Sequence, residues 1–474
     1  MDTECIAQQL EFHALGSRDV VGRFDGGRIT SAGGGMLLRE IDLRLGLNAR
    51  LAHCFTDYRN PNSLEHSVRE LVAQRIYGLA LGYEDLNDHD ALRSDSALAL
   101  LVGKRDLTGS ERGRQRDRGH PLAGSSTLNR LELGTPDSAE SHRYKKIVAD
   151  PDALDRLLVD LFLESYEAPP QEIWLDLDAT DDPLHGRQEG RFFHGYYRSY
   201  CYLPLYIFSG EHLLCARLRP SNQDGAAGSI EELTRIVAQI RTRWPKTKIV
   251  IRGDSGFCRD AIMSWCEAHR VRYVLGLARN PRLQRALGKE MAQAQAEHEE
   301  TGKPARRFRD FRYRTRNSWA CERRVIGKAE VLPGKSNPRF VVTNLPTNRA
   351  GAKRLYEQLY CIRGEMENRI KEQQLGLFAD RTSTATMRAN QLRLYFSSFA
   401  YVLMHGLRRL GLQGTEYAKA QCTTIRSKLL KIGARIRITV HKVWLSFSSA
   451  YPYADDIAQI LANVRRHPAW APPS

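Results

Sequence analysis

Residues 171–180, with the sequence QEIWLDLDAT, constrain the fold of this chain more than any other stretch. Aliphatic residues at every second position from 173 to 177 alternate with Trp174, Asp176 and Asp178, and this period-two alternation predicts a β-strand. Burying an unpaired carboxylate is costly, so a strand with one aliphatic and one acidic face is typical of a metal or catalytic site. The two aspartates therefore require partners elsewhere in the chain.

The charge balance favours a polyanionic partner, and above all a nucleic acid. The 474 residues include 71 Lys and Arg against 55 Asp and Glu, which gives a formal net charge of +16. No strongly basic amphipathic helix indicates a membrane surface, and the most apolar run, 394–404, is shorter than the roughly 20 apolar residues that span a bilayer. Nine cysteines without a CxxC pair indicate reduced thiols. We therefore expect a cytoplasmic protein with no signal peptide and no membrane partner.

The order of predicted elements indicates an α/β chain. The stretch RFFHGYYRSYCYLPLYIF after the acidic strand predicts two strands of a meander. The meander leads into alternating helices and strands, which is typical of parallel βαβ pairing. A helical N-terminal region, a β-rich insertion and a helical C-terminal region complete the chain. The predicted segments are 1–150 (mostly helical, DNA-binding), 151–282 (catalytic core, first part), 283–347 (β-rich insertion), 348–390 (core, second part) and 391–474 (dimer or DNA contact, or simply a cover for the sheet).

A third acidic residue, Asp254, ends the short apolar strand predicted at 248–254. Ligands in open α/β sheets gather at the carboxyl ends of parallel strands, and Asp178 lies at the end of its own strand. If the two strands are neighbours, the carboxylates lie about one strand spacing (~5 Å) apart and repel each other unless a divalent cation lies between them. The alternative is that Asp254 only caps the turn before Gly256.

The β-rich insertion contains a basic strand pattern. In FRYRTR (311–316), Arg312, Arg314 and Arg316 share one predicted face, and aromatic residues share the other. Such a face fits contact with a phosphate backbone, although an ordinary solvated face has the same pattern.

A long predicted helix in the second part of the core carries a polar stripe. Tyr360, Arg363, Glu367 and Lys371 are spaced by three, four and four residues, which places them on one side of a helix. The stripe fits a carboxylate flanked by phosphate-binding cations. A solvated, salt-bridged helix side is the plain alternative.

Three motifs in combination resemble the DDE transposases of bacterial insertion sequences. They are D-A-T at 178–180, G-D-S-G-F at 253–257 and Y-x2-R-x3-E at 360–367. The resemblance is to the branch of these enzymes that has a β-rich insertion before the glutamate, and it covers most of the chain.

The resemblance implies an RNase H-like core, a mixed α/β sheet flanked by helices, with Asp178, Asp254 and Glu367 as the acidic triad. Asp176 is the rival of Asp178, which is preferred because the family pattern is Asp, one residue, then Thr. Glu365 is the rival of Glu367, but on a helix it points about 160° away from the stripe.

Tyr360 and Arg363 match the signature of this branch, which usually places a lysine seven residues after the glutamate. Gln374 stands at that position here. Lys371, one turn after Glu367, is the candidate for the role of the missing lysine.

The activity implied by the resemblance is cut-and-paste DNA transposition. The triad would hold two Mg²⁺ ions, or Mn²⁺, which activate a water or a DNA 3′-hydroxyl and stabilise the leaving oxygen. The partners would be double-stranded DNA, as terminal inverted repeats and target, and a second copy of the chain, in the bacterial cytoplasm and on the nucleoid when bound to DNA. Alternatives are an RNase H-fold nuclease that only hydrolyses, or a non-catalytic repressor, although the presence of all three acids argues against the latter.

Overall fold

The computed structural model describes residues 9–471, and the chain forms two compact units. The terminal unit combines Met1–Asp150 with Phe399–Ser474, and the central unit is Pro151–Ser398. The N-terminal and C-terminal segments, which the sequence pattern separates, thus belong to one unit. No helix within residues 9–471 is long and apolar enough to cross a membrane.

The N-terminal part of the terminal unit contains helices around α3, which begins with a capping box between Ser67 and Glu70 and is buried from Leu71 to Ala80. Its elements are β1 (Leu10–Leu15), β2 (Arg18–Gly22), β3 (Arg28–Thr30), α1 (Met36–Leu45), α2 (Leu47–Ala52), β4 (Phe55–Asp57), α3 (Val68–Ala80), α4 (Asp88–Leu92), α5 (Ser96–Val102), α6 (Ser125–Leu133), α7 (Pro136–Ser141) and β5 (Ile147–Ala149).

The central unit alternates strands and helices as the sequence pattern predicts. Its elements are α8 (Pro151–Glu164), β6 (Glu172–Ala179), β7 (Asp182–Pro183), β8 (Phe192–His194), β9 (Ser199–Tyr202), β10 (Leu205–Ser209), β11 (His212–Arg217), α9 (Ser229–Arg243), β12 (Lys248–Gly253), α10 (Asp260–Ala268), β13 (Arg272–Leu277), α11 (Pro281–Ala286), α12 (Gly288–Thr301), β14 (Ala305–Tyr313), β15 (Arg323–Leu332), β16 (Lys335–Ser336), β17 (Arg339–Thr343), α13 (Ala352–Arg354), α14 (Gly364–Lys371) and α15 (Met387–Leu410), which continues into the terminal unit.

The C-terminal part returns to the terminal unit. Its elements are α16 (Cys422–Ile425), β18 (Ala434–Ile438), β19 (Val443–Phe447) and α17 (Ala454–Arg465). Strand β18 lies between β19 and β3 in a small antiparallel sheet, and Arg435 and Arg437 alternate along it with Ile436 and Ile438.

A nine-stranded mixed sheet forms the centre of the central unit, in the order β11-β10-β6-β12-β13-β17-β15-β14, with β16 paired to β15. Strands β6, β12 and β13 are parallel, and all other pairs are antiparallel. The mixed α/β architecture predicted from the sequence is therefore confirmed. The β-rich insertion is not a separate sheet, because β17 pairs with β13 and extends the central one.

The two faces of β6 have different surroundings. Ile173, Leu175 and Leu177 are buried in the main core, which also takes in the apolar face of α9. Trp174, on the other face, packs against a smaller cluster that includes Tyr356. The acidic face of β6 therefore does not simply face solvent.

Two strand predictions are wrong in detail. The stretch RFFHGYYRSYCYLPLYIF was predicted as two strands, but it forms three, and β8 and β9 pair in a small sheet with β7 rather than in the central sheet. The strand predicted through 316 ends at Tyr313, so Arg314 and Arg316 lie in the following loop. The loop turns there because Trp319 is buried and its carbonyl accepts a hydrogen bond of 3.2 Å from Arg314 Nε.

Residues 352–376 form the long helix predicted at 348–375. It is not uniform, because wide π-type turns at Leu355–Tyr360 and Glu372–Gly376 flank a tighter turn and the regular α14. Single π turns of this kind are frequent at functional sites.

Candidate active site

The pairing of β6 with β12 brings two of the predicted acids to one edge of the sheet. The strands are parallel, with Arg252 opposite Asp176 and Gly253 opposite Leu177, so Asp254 follows beside Asp178. Both lie at the carboxyl ends of their strands. Asp254 also caps the next turn, since its Oδ1 accepts a hydrogen bond of 2.8 Å from the Gly256 amide. Asp254 thus caps the turn before Gly256 and also lies beside Asp178, and its role in holding a divalent cation stays a prediction.

Arg363 joins the strand to the long helix. Its Nη1 lies 3.6 Å from Asp178 Oδ2, and its Nη2 lies 2.9 Å from Glu367 Oε1. The Arg363 and Asp178 side chains are each 16% exposed, whereas Glu367 is 47% exposed. The guanidinium therefore connects two of the three predicted carboxylates, and we call Asp178, Asp254, Arg363 and Glu367 the acidic cluster.

The members of the acidic cluster interact electrostatically. Burial raises the pKa of Asp178 to about 6; Arg363 opposes the shift, and the carboxylates of Asp254 and Glu367 add to it. Burial also acts to lower the pKa of Arg363, but the surrounding acids, led by Asp178, outweigh it and raise that pKa. One guanidinium thus only partly offsets the negative charge of the cluster.

We expect Asp178→Asn to stabilise the metal-free protein at neutral pH. Between the ordinary value of 3.8 and about 6, the raised pKa means that the folded state holds a proton that the unfolded chain has lost, so stability falls as pH rises through this window. Asparagine removes that term, and the variant should gain up to about 3 kcal/mol above pH 6 but almost nothing near pH 4. Urea unfolding in EDTA at both pH values measures the difference, and equal gains at both would contradict this origin.

Tyr360 lies against the strand next to Asp254. A Cβ added to Gly276 on β13 would come within 2.5 Å of the Tyr360 hydroxyl and 2.9 Å of the Ser255 amide. Burial raises the pKa of Tyr360, against the effect of Arg363, and Asp254 adds to the rise. The bare backbone of Gly276 therefore lets the tyrosine approach the turn that carries Asp254.

Gly276→Ala is expected to lower activity by at least about tenfold, because the new methyl group displaces the Tyr360 hydroxyl and the backbone after Asp254. DNA cleavage rates measure the effect. Gly288→Ala is the matched control, since an added Cβ there meets no atom within 4 Å. Equal activity of the two variants would show that the close approach is not required.

The rival aspartate has a different partner. Both carboxylate oxygens of Asp176 accept hydrogen bonds from Arg252, from Nε at 2.5 Å and from Nη2 at 2.7 Å. The two side chains are 7% and 8% exposed, and Arg252 also donates to the Leu359 carbonyl at 2.6 Å. Asp176 is therefore engaged in a buried ion pair that holds β6, β12 and the long helix together.

The remaining members of the helix stripe are more exposed. Lys371 is on the surface, and within residues 9–471 no contact joins it to the three acids. Gln374, at the position of the usual lysine, donates to the Asp181 carbonyl at 3.1 Å. Glu365 is exposed. The structure thus brings Tyr360 and Arg363 to the acidic cluster but not Lys371.

The arginines of the insertion fall into two groups. Arg306, Arg307 and Arg309 on β14 each form an ion pair with a glutamate. Arg312, by contrast, donates to the Glu322 carbonyl at 2.7 Å, and Arg316 is exposed in the loop. The predicted group at 312–316 therefore carries positive charge without a carboxylate partner within the described chain, but it makes no contact with the acidic cluster.

Sequence reasoning missed a basic cavity beside Asp254. This cavity of about 660 Å³ is lined by Asp254, Tyr360 and Arg363 and by three further cations, Arg279, Lys335 and Arg339. Arg279 follows the carboxyl end of β13, a position that could have been found by the rule that located Asp254. Lys335 lies on β16 and Arg339 begins β17, and no local signal shows that these strands reach the site.

The acids suit a divalent cation in their chemistry, because carboxylate oxygens are the hard ligands that Mg²⁺ and Mn²⁺ prefer. Their spacing, however, is not that of a metal site, because within residues 9–471 no group of three His, Cys, Asp or Glu residues is close enough to hold an ion. The Arg363 guanidinium instead lies against Asp178 and Glu367.

The fold and the site define an α/β protein with a cluster of acids and neighbouring cations at the carboxyl ends of parallel strands. Residues 12–469 match the family described as transposase DDE domain group 1, and the chain belongs to this family. Membership supports a role in DNA transposition and implies nuclease and transesterification activity, for which the family generally uses divalent metal ions. The predicted resemblance to DDE transposases is thereby confirmed.

Comparison with solved structures finds similarity to piggyBac transposase in a cryo-EM structure of its synaptic complex with hairpin DNA. The identity is 9% and the TM-score 0.40, over 83% of this chain and 78% of that one. No curated protein sequence matches this chain.

Proposed function

We propose that this protein is a cut-and-paste transposase of a bacterial insertion sequence, which cleaves DNA at the element ends and joins the freed 3′-hydroxyl to target DNA. Asp178, Asp254 and Glu367 are its catalytic acids. One observation carries the proposal: Arg363 joins Asp178 to Glu367, and the β6–β12 register sets Asp254 beside Asp178, although the three acids are far apart in sequence.

The order of strands β11-β10-β6-β12-β13 in the central sheet supports an RNase H-like core. An antiparallel meander, β6-β10-β11, is followed by β12 and β13, which add in parallel on the other side of β6. In this reading the core comprises 151–282 and 348–390, and 283–347 is an insertion that extends its sheet. Residues 1–150 bind DNA, and residues 391–474 contact DNA or a second copy of the chain.

The three acids would hold two Mg²⁺ or Mn²⁺ ions, which in this chemistry activate the attacking oxygen and stabilise the leaving one. Glu367 is half-exposed, and within residues 9–471 its side chain pairs with Arg363 alone, so a rotation of this side chain would free it to face Asp178 and Asp254. Arg363 is then released to donate to a phosphate oxygen in the bidentate manner typical of arginine.

The cations of the basic cavity would position the DNA backbone. Arg279, Lys335 and Arg339 line the space beside Asp254 and would supply donors for phosphate oxygens. Arg312, Arg314 and Arg316 extend this contact along the insertion, and Lys371 along the helix. The partner is double-stranded DNA, both element end and target, held by a homodimer that bridges two ends.

A cleavage assay tests this function. A labelled duplex that contains an element end and its flank is incubated with the protein and Mg²⁺, and a nick at the element boundary is expected. Pre-cut ends should then be joined to a target duplex. Joining separates a transposase from an RNase H-fold nuclease that only hydrolyses, and the absence of any metal-dependent cleavage would favour a DNA-binding repressor.

A further inference from the structure

We propose that the β8–β9 hairpin stacks its exposed aromatic rings on unpaired DNA bases next to the cleaved phosphate. The proposal rests on the proposed function and names the part of the DNA that this surface recognises. We call residues 192–200 the aromatic hairpin.

The aromatic hairpin exposes four large aromatic side chains to solvent. Phe192, Phe193, Tyr196 and Tyr200 are exposed by 42%, 57%, 84% and 44% of their surfaces. Folding normally buries such side chains, and a contiguous group of exposed ones marks a binding surface. The surface is therefore built to receive a partner.

The base of the hairpin is firmly held, so the rings project from a rigid support. Tyr202, at the end of β9, is fully buried and donates a hydrogen bond of 2.5 Å to the Glu189 carbonyl. The Leu184 amide donates to the Tyr200 carbonyl at 2.8 Å, which joins the hairpin to β7. Rigid aromatic side chains lose little conformational entropy when they bind, which favours tight stacking.

The hairpin lies beside the proposed catalytic acids. The Tyr197 hydroxyl is 3.5 Å from the carbonyl of Ala179, the residue after Asp178. Burial raises the pKa of Tyr197 to about 12, and the nearby carboxylates of Asp181 and Asp178 contribute to the rise. A DNA strand placed for attack at the acidic cluster therefore passes the hairpin.

The chemistry and the position of the surface together favour nucleic acid over protein. The Arg191 guanidinium lies 3.6 Å from the centre of the Tyr200 ring, and Arg198 is exposed in the turn, so cations alternate with the rings. Aromatic rings interleaved with cations are typical of surfaces that bind single-stranded nucleic acid. Arginine and aromatic residues are also frequent at protein interfaces, and it is the position beside the proposed catalytic acids that favours DNA.

Unpaired bases are the part of DNA that can stack on the exposed rings of the aromatic hairpin. Within a duplex, the base faces are stacked on one another and closed to a side chain, whereas an extruded base offers its face to an aromatic ring. The rings of Phe193 and Tyr200 pack edge to face at 5.5 Å. Tyr196 packs edge to face on Tyr197 at 5.0 Å and, at 84% exposure, is the most exposed ring of the hairpin. We infer that Tyr196 makes the principal stacking contact.

Binding of a single-stranded oligonucleotide tests the proposal without catalysis. The probe is a single-stranded oligonucleotide of about 12 nucleotides that contains one 2-aminopurine, and binding is measured in EDTA. Stacking on an aromatic ring quenches the fluorescence of the 2-aminopurine. Tyr196→Ala should weaken binding by about tenfold and relieve the quenching, Tyr196→Phe should retain both, and duplex binding should change by less than twofold. Tyr196→Phe is therefore the matched control, because it keeps the exposed ring and removes only the hydroxyl group.

Equal single-strand affinity of wild type and Tyr196→Ala, with the fold of both checked by circular dichroism, would overturn the proposal. So would a change in sedimentation coefficient without a change in DNA affinity, since it would assign the surface to a second copy of the chain. Cleavage assays distinguish a failure of this proposal from a failure of the proposed function. If wild type binds single strands through the hairpin but cleaves no DNA, only the proposed function fails. If cleavage occurs, Tyr196→Ala should be slow on a perfect duplex and recover on one mismatched at the cleavage position.

Discussion

Asp254→Asn is expected to abolish DNA cleavage, with a fall in rate of at least about a thousandfold, while the affinity for DNA stays within twofold of the wild type. The substitution keeps the shape of the side chain and its ability to accept the 2.8 Å hydrogen bond from Gly256, so the turn should persist. What it removes is the negative charge beside Asp178. The loss therefore falls on the chemical step and on metal binding.

Glu367→Gln should have the same effect as Asp254→Asn, and Glu365→Gln supplies a matched control. Both glutamates lie on α14, and both variants lose one negative charge, but only Glu367 pairs with Arg363. Cleavage rates and filter-binding affinities of the three variants, measured with Mg²⁺, check the expectation. If Glu365→Gln is inactive and Glu367→Gln active, the assignment of the two residues is reversed.

Asp176→Asn is expected to destabilise the protein by about 3–5 kcal/mol, because it leaves the buried guanidinium of Arg252 without its counter-charge. Arg252 is 8% exposed and contacts both Asp176 oxygens, so no solvent replaces the lost partner. The damage should extend to the long helix, since the same guanidinium donates to the Leu359 carbonyl.

Urea unfolding measures this effect, with Asp178→Asn as the comparison two residues along the same strand. The first variant should unfold at much lower urea concentration than wild type, whereas the second should be as stable as wild type or more stable. If Asp176→Asn were stable but inactive and Asp178→Asn active, Asp176 would be the catalytic aspartate and Asp178 would not.

Local periodicity in the sequence predicts much of the fold. Alternation around Asp176 identifies β6, the helix-strand alternation after it predicts parallel pairing, and the spacing from Tyr360 to Glu367 predicts one helical side that meets the acids through Arg363. These features depend on neighbours a few residues apart, where backbone geometry fixes the side-chain directions.

Features that depend on distant partners could not be predicted. The pairing of Arg252 with Asp176 joins residues on two strands, and the alternation within either segment does not distinguish this aspartate from Asp178. The extension of the central sheet by β17 likewise depends on an edge left open by β13, and it carries Arg339 to the site. Arg314 was placed on a strand because its own segment alternates, whereas burial of Trp319 ends the strand earlier.

The central claim is that three acids from separate parts of the chain share a divalent ion, and iron-directed backbone cleavage tests it most directly. Fe²⁺ takes the same oxygen ligands as Mg²⁺ in this kind of site and, with ascorbate and peroxide, cuts the polypeptide next to the bound ion. The account predicts cuts near 178, 254 and 367, all suppressed by excess Mg²⁺ and absent from Asp254→Asn. Cuts confined to other parts of the chain, or unchanged in that variant, would contradict it.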